Sequence, residues 1–472
     1  MVISIALWLA ASLAPESHQA ELTIYTQGFG LVKEVRRLNL KKGRQDIRIE
    51  DVASLIDPTC VSFHSLSGKD SFSILEQNYQ YDLISPQAIL NKSIGQRLRF
   101  IRTVGNQEDV LTGILLSAPT ATVAASDGSS QQTYNGMVIR TDDSRIVLDP
   151  TGEVEVSSVP AGLISKPTLV WDIDAGKEGA NSVELSYISH GLSWSADYVL
   201  TLNGQGKGDI QGWVTLDNSS GATWENAKLK LLAGDVHTVQ PTVNSFLQAE
   251  AAVSPVNGAA KAFAEESLFE YHLYTLDRPA TIRNKETKQL SLLQGQDFPV
   301  TKRLIVDSIS NSYYPGEGEI GTGDIKPQVR VEFVNDKASG LGMPLPKGKV
   351  RVYQRDQSGS VQLLGEDQID HTPRNERVSL VVGRSFDIVC SRKRTNFTRI
   401  NYRSVRESFE IEVRNRKETA ESVDVLERHW GDWTITKRSQ DFIKLDSNTA
   451  KFPLTLLPNE VKKVVYTVET KW

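Results

Sequence analysis

The sequence predicts a mainly β, multi-domain protein: immunoglobulin-like β-sandwiches with a small SH3-like barrel-type β unit near the N-terminus. Three observations predict it. Short segments of alternating apolar and polar residues recur from Glu21 to the C-terminus, as half-buried strands require. Gly, Asn, Asp and Ser clusters separate them at strand-length intervals. A loose motif of strand, Asn, turn and strand occurs three times.

The 472 residues suggest about three domains. The first segment, 1–20, holds the uncharged apolar run Val2–Ala14 directly after Met1. It is shorter than the roughly 20 residues that span a bilayer as a helix and fits the apolar core of a signal peptide, with cleavage after Ala20. The alternative is a short apolar end tucked onto the protein. Residues 21–93 read as a β region. Two strands flank Gln27–Gly30, Ile47 and Ile49 alternate with charges, and Ser85 and Pro86 cap a short helix through SPQAILNK.

Residues 94–160 hold short strand candidates such as QRLRFIRTV, DVLTGILLS and NGMVIRT, closely spaced by turns, hence the small barrel-like unit. A β-sandwich is expected over 161–240. The Ala-rich stretch 241–265 reads as a loop or linker. The sandwich continues over 266–395, with LFEYHLYTL as one strand. A C-terminal immunoglobulin-like sandwich occupies 396–472, where Phe409, Ile411 and Val413 alternate with Glu410, Glu412 and Arg414.

The recurring motif is WVTLDNSSGATWENAKLKLL, VRVEFVNDKASGLGMPLPKGKVRVY and FEIEVRNRKETAESVDVLE, with Asn218, Asn335 and Asn415 in the matching place. Asn tolerates turn conformations and hydrogen-bonds nearby backbone, so each is expected to shape a corner. Such corners suit sandwich folds.

Two blocks carry a family resemblance. One is Tyr187–Tyr198, YISHGLSWSADY, followed by Gly212–Val236; the other is Gly340–Gly348, GLGMPLPKG, followed by VRVY and LLGEDQIDHTP. Together they resemble the bacterial domain-of-unknown-function 4139 family, related to mucoidy-inhibitor-A-like proteins. The resemblance implies an exported β-rich protein and carries over no catalytic residue.

Searching for chemistry yields little. Gly316, Gly318 and Gly321 form a literal GxGxxG, but Glu317 and Glu319 lie within it and no helix is expected after it, so it is not a dinucleotide site. No HExxH, GxSxG, Walker loop or CxxC occurs. The densest acid–His neighbourhood is Asp370–His371, with Glu366, Asp367 and Glu376 close in sequence. It is the candidate site for acid–base work, against a solvated turn between strands. Trp194, Trp224 and the loop Pro344, Leu345 and Pro346 are candidate ligand contacts, with core packing as the structural alternative. Arg392, Lys393, Arg394 and Arg399, interleaved with Phe397 and Tyr402, are candidate polyanion contacts or edge-strand charges.

Cys60 and Cys390 read as unrelated buried thiols, with pairing the alternative in an oxidising compartment. A net charge of −5 argues against a nucleic-acid protein. No metal, cofactor or transmembrane span is expected. The functional expectation is a periplasmic or secreted, non-enzymatic binding or scaffold protein of the bacterial envelope, whose partner is an envelope protein or glycan. The competitors are a polysaccharide-acting hydrolase or lyase on a β scaffold, and an assembly factor that lends or receives a strand.

Overall fold

A computed structural model describes residues 19–68, 71–104, 107–126, 129–238, 263–307 and 323–472. Residues 1–18 of the expected signal segment 1–20, residues 241–262 of the Ala-rich stretch and the GxGxxG run lie outside the described residues. The fold is mainly β and consists of several separate sheets. The single α-helix among the described residues, Pro86–Lys92, starts as expected. The Ser85 hydroxyl accepts from Ala88 N–H at 3.0 Å, and Pro86 opens the first turn.

Alternation builds the strands. Gly179–His190 and Ser404–Asn415 bury every second residue along most of their length, so one face of each packs on a core and the other faces outward. An N-terminal sheet runs in the order Phe263–Leu268, Tyr271–Leu276, Trp224–Ala233, Gln19–Tyr25, Phe29–Leu40, Gly179–His190, Ser62–Ser65. It shares one continuous core with a central sheet ordered Glu286–Pro299, Lys207–Asn218, Leu192–Leu202, Gly348–Arg355, Val361–Ile369. A three-stranded sheet joins the same core, with Trp171 fully buried and stacked on Phe63 at 4.2 Å.

Strands from residues 21–93 and from 161–240 lie in the same sheets. Phe29–Leu40 pairs with Gly179–His190 along twelve residues, and Gln19–Tyr25 lies parallel to Trp224–Ala233. Pairing across so many residues leaves no mark in local pattern. A cut after Ala20 would trim the first two residues of the Gln19–Tyr25 ladder, where Ala20 is buried opposite Glu34.

A bridging sheet, ordered Arg377–Arg384, Gln328–Val334, Thr301–Asp307, Glu421–Arg428, Thr449–Leu456, Ile443–Lys444, lends Val331, Phe333, Val378 and Leu380 to the first core. Its remaining strands pack against a C-terminal sheet made of Gly323–Ile325, Ile388–Asn401, Ser404–Asn415, Val461–Lys471 and Asp432–Arg438. The expected boundary at 395/396 falls inside the strand Ile388–Asn401. In its run CSRKRTN, Cys390 is buried as expected, and Arg392, which reads as a surface cation, is buried with it.

The three Asn corners are one device used three times. Asn218 donates to the Ala222 carbonyl at 2.9 Å and accepts from Ser220 N–H at 3.0 Å. Asn335 donates to the Met343 and Pro373 carbonyls and accepts from Gly342 N–H. Asn415 donates to the Thr419 and Leu457 carbonyls and accepts from Lys417 N–H. All three are buried, so each amide has exchanged water for backbone partners. Facing each corner is a residue in the left-handed region followed by a glutamate: Lys285–Glu286, Asn375–Glu376 and Asn459–Glu460, with φ of 57°, 64° and 57°.

After each corner the chain crosses to the neighbouring sheet and pairs parallel with an earlier strand. Leu229 meets Leu22, Val352 meets Leu200, and Val425 meets Val306. Three repeats thus link four sheets.

The small β unit is an insertion. It leaves after Phe72–Gln80 and returns before Thr168–Ala175, two strands that are direct antiparallel neighbours. Its five-stranded sheet is ordered Ile146–Leu148, Val138–Thr141, Gln107–Ser117, Arg97–Val104, Glu153–Glu155, with Leu98, Phe100, Leu115, Ala118 and Ile139 as its own core. A two-stranded ribbon, Thr120–Ser126 with Ser129–Asn135, interrupts it; the second of these strands, SSQQTYN, has no apolar alternation to announce it.

Candidate functional site

Trp194, the Pro-Leu-Pro loop and His371 meet at one junction, where the N-terminal, central and bridging sheets adjoin. The loop is set by the second Asn corner. Gly342 sits at φ 82°, and a Cβ there would lie 2.9 Å from Lys337 N, so no other residue fits without movement. Tyr274 donates its hydroxyl to the Pro344 carbonyl at 2.9 Å, and Tyr198 to the Pro346 carbonyl at 2.8 Å. Leu345 exchanges two backbone hydrogen bonds with Thr372. Pro344, Leu345 and Pro346 are consequently buried, not an exposed contact loop. The sequence reads them as exposed because proline-rich turns usually are; two tyrosines from distant strands cover them.

Trp194 packs edge-on to Tyr274 at 6.3 Å and donates its indole N–H to the Leu232 carbonyl. Trp224 lies elsewhere, with its indole N–H on Glu34, whose carboxylate also takes Arg36 Nε at 2.9 Å. Both tryptophans are almost fully buried, so their apolar bodies serve the core rather than a ligand.

The acid–His neighbourhood does not converge. Asp370 is solvent-exposed, 3.8 Å from Lys347. His371 Nδ1 accepts the Lys347 N–H at 3.2 Å, and burial pushes its imidazole below the ordinary range, against the pull of Asp235. Asp367 accepts from Val381 N–H at 2.7 Å, which ties the edge of the central sheet to the edge of the bridging sheet. Glu366 approaches Arg351 at 3.5 Å. Each carboxylate has its own task, and no shared reacting point forms between them.

The sequence reading missed the polar hub of the junction. Glu265, with only 7% of its side chain exposed, takes Arg374 and the Nδ1 of His272, the latter at 2.9 Å. LFEYHLYTL is not one strand: the chain reverses at Phe269–Glu270 between Leu268 and Tyr271. Phe-Glu carries no turn signal, so the hairpin was illegible. The reversal is what places Glu265 within reach of His272. The hub fixes the hairpin Phe263–Leu268/Tyr271–Leu276 to the bridging-sheet loop through Arg374.

Of the basic candidates, Arg392 is no surface group. It is 2% exposed, holds Glu427 with Nε at 3.0 Å and Nη2 at 2.8 Å, and lies over the Phe409 ring at 4.1 Å. Tyr466 donates to the same carboxylate at 2.5 Å. Burial would push the Glu427 carboxyl up, but Arg392 and these hydrogen bonds hold it down. Arg394 pairs with buried Glu407 at 2.9 Å, and Lys393 with Glu410 at 3.1 Å. Arg399 alone of the four makes no ion pair among the described residues. A polyanion would meet mostly neutralised charge.

Cys60 and Cys390 are both free. Burial pushes the Cys390 thiol up to about 12, while Cys60 accepts Ile188 N–H and donates to the Asp57 carbonyl. Among the described residues no three His, Cys, Asp or Glu side chains gather as metal ligands, and no helix is long and apolar enough to cross a membrane. No family model and no curated protein matches the chain.

Proposed function

We propose that the chain is an exported, non-enzymatic binding or scaffold protein of the bacterial envelope, a relative of the domain-of-unknown-function 4139, mucoidy-inhibitor-A-like proteins. In this reading its paired sheets are immunoglobulin-like sandwiches, and its inserted unit is an SH3-like barrel type. Its partner is an envelope protein or glycan, met in the periplasm or outside the cell. The observation that carries the proposal is the threefold Asn corner. It carries the chain from one sheet to the next, where each new strand pairs parallel with an earlier one, so successive sheets are joined into one packed series that carries an inserted β unit. Such a design suits holding contact surfaces at fixed separation. The apolar run Val2–Ala14 and the two resemblance blocks support export and kinship.

The test is fractionation of producing cells, followed by crosslinking with a short amine-reactive reagent in intact cells. Recovery in the periplasmic or secreted fraction, in a discrete adduct with one envelope component, is the expected result. A chain that stays cytoplasmic, or is recovered only uncrosslinked, sinks the proposal.

A further inference from the structure

The hairpin fixed by Glu265 ends in an unusual tip. Leu268 pairs with Tyr271, so Phe269 and Glu270 form a two-residue turn. Such turns call for positive φ, which Gly, Asn and Asp adopt at low cost. Phe269 occupies that conformation at φ 57°. Among the described residues eight other non-glycine residues have positive φ, and all are Asp, Asn, Ser or Lys. An aromatic side chain in the left-handed region is a true outlier.

Packing does not explain it. Phe269 is 85% exposed, the most exposed large hydrophobic residue among those described, and Leu268 beside it is 48% exposed. Its ring lies 6.4 Å from Tyr271, whose own ring rests over Gly234, where a Cβ would sit 2.3 Å from the tyrosine ring. Glu266 and Glu270 flank the tip, both exposed and neither in an ion pair among the described residues. Behind the tip the hairpin is firmly based. Glu265 is held by Arg374 and His272, Tyr274 is buried and bonded to Pro344, and His272 pairs in the ladder with Ala233.

We propose that Phe269 is a protein-docking anchor that inserts into an apolar pocket of a partner protein, with basic residues at the pocket rim meeting Glu266 and Glu270. The sequence places an aromatic ring where neither turn chemistry nor the core calls for one, and surrounds it with uncompensated negative charge. Aromatic anchors on a rigid support lose little freedom on binding and dominate interface energetics. Unpaired carboxylates beside the ring select a positively charged rim and disfavour an anionic membrane surface. The inference rests on the binding reading above but narrows it to one contact.

The test uses the full chain in the cells that make it. Photo-reactive benzoylphenylalanine replaces Phe269, with the same probe at exposed Phe386 as the positional control. The expected result is a discrete protein adduct from position 269 that is absent from position 386. Its yield should fall at least about tenfold when Glu266→Lys and Glu270→Lys are added, a loss of the size that removal of two rim pairs produces. An adduct that survives the two lysines undiminished overturns the proposal, as does one formed only with lipid or with a second copy of the chain. Adducts from position 386 without any from 269 overturn the anchor and leave the broader binding reading standing; none from either position counts against both. In the purified chain, Phe269→Gly should leave the thermal midpoint unchanged or raise it, because glycine relieves the left-handed strain. A clear fall would mean that Phe269 supports the fold and is no anchor.

Discussion

The C-terminal sandwich and the inserted small β unit solve the same problem with unequal means. Among the described residues the sandwich buries eighteen apolar ones, including Phe409, Phe452 and Tyr466, in one cluster. The small unit buries five among its described residues. In the larger core a charged pair can be taken fully out of water: Arg392 and Glu427 are enclosed, with Tyr466 and Phe409 completing their surroundings. The small unit keeps its ion pairs outside. Arg99–Glu155, Arg97–Asp142 and Arg102–Asp109 all lie about half exposed, where such pairs contribute little. It also leaves Ile146 and Leu148 at its edge more than half exposed. The contrast teaches that core size decides which polar interactions matter. A large core makes a buried charge pair a point of vulnerability, whereas in a small one a single aromatic residue fills that role.

The largest effect is expected from Glu427→Ala. It removes the carboxylate that takes Arg392 and Tyr466 inside the larger core, with an expected loss of about 3–5 kcal/mol, read from chemical denaturation of the full chain. A loss below about 1 kcal/mol would show that the buried pair is not a structural centre. Phe100→Ala tests the other side. Phe100 is 1% exposed in the five-residue core, and its truncation should cost about 3 kcal/mol or more, confined to the small unit. Hydrogen exchange should then speed up across 97–155 and stay unchanged in the C-terminal sandwich.

Acidification should separate the two regions next. His429 is 3% exposed, packs against Trp433 at 4.8 Å and Tyr466 at 5.7 Å, and neither ring nitrogen has a hydrogen-bond partner among the described residues. Burial, opposed by Glu427 and reinforced by Arg392, pushes its imidazole down to about 4 from an ordinary 6.5. The folded state therefore resists the proton that the unfolded chain accepts. Stability is fully present above about pH 6.5 and is lost as pH falls toward 4, by about 3 kcal/mol in all. Denaturation midpoints at pH 7 and pH 4.5, followed by tryptophan fluorescence, should show the loss in the wild type. His429→Phe should lessen it. An equal loss in both proteins would assign the acid sensitivity to other groups.

Smaller effects sharpen the picture. Asn218→Ala, Asn335→Ala and Asn415→Ala should each cost about 2 kcal/mol through unpaired corner carbonyls and amides. Near-equal losses in thermal or chemical denaturation would bear out one device used three times; one silent corner would break the equivalence. At the bottom of the scale, Arg99→Gln on the small unit should cost less than about 1 kcal/mol, and less again at high salt. A larger effect would mean that its exposed pairs are structural after all.

How much of this was readable follows from where each signal resides. The strands, the Ser85–Pro86 helix start and the three Asn corners are local: alternation over a few residues, a cap, an amide that bonds to backbone nearby. All of these stand in the sequence. Arg392 shows the opposite case. In CSRKRTN it looks like one of several surface cations, because nothing near it in sequence announces Glu427 on the bridging sheet. The Pro-Leu-Pro loop and the turn at Phe269–Glu270 likewise leave no local signal, since Tyr198 and Tyr274 cover the one from distant strands and no residue type announces the other. Pairing of Gln19–Tyr25 with Trp224–Ala233 joined regions that composition had separated.

The β class, the placement of most strands and the repeated corner follow from local residue order, because backbone preference and the two-residue period act over short range. Which sheets share a core, which charges lie inside it and which aromatic ring stands in water are set by the folded arrangement. Those outcomes depend on what a side chain meets across the fold, and burial converts a charge from a solvated ornament into a constraint only when its partner arrives from another sheet.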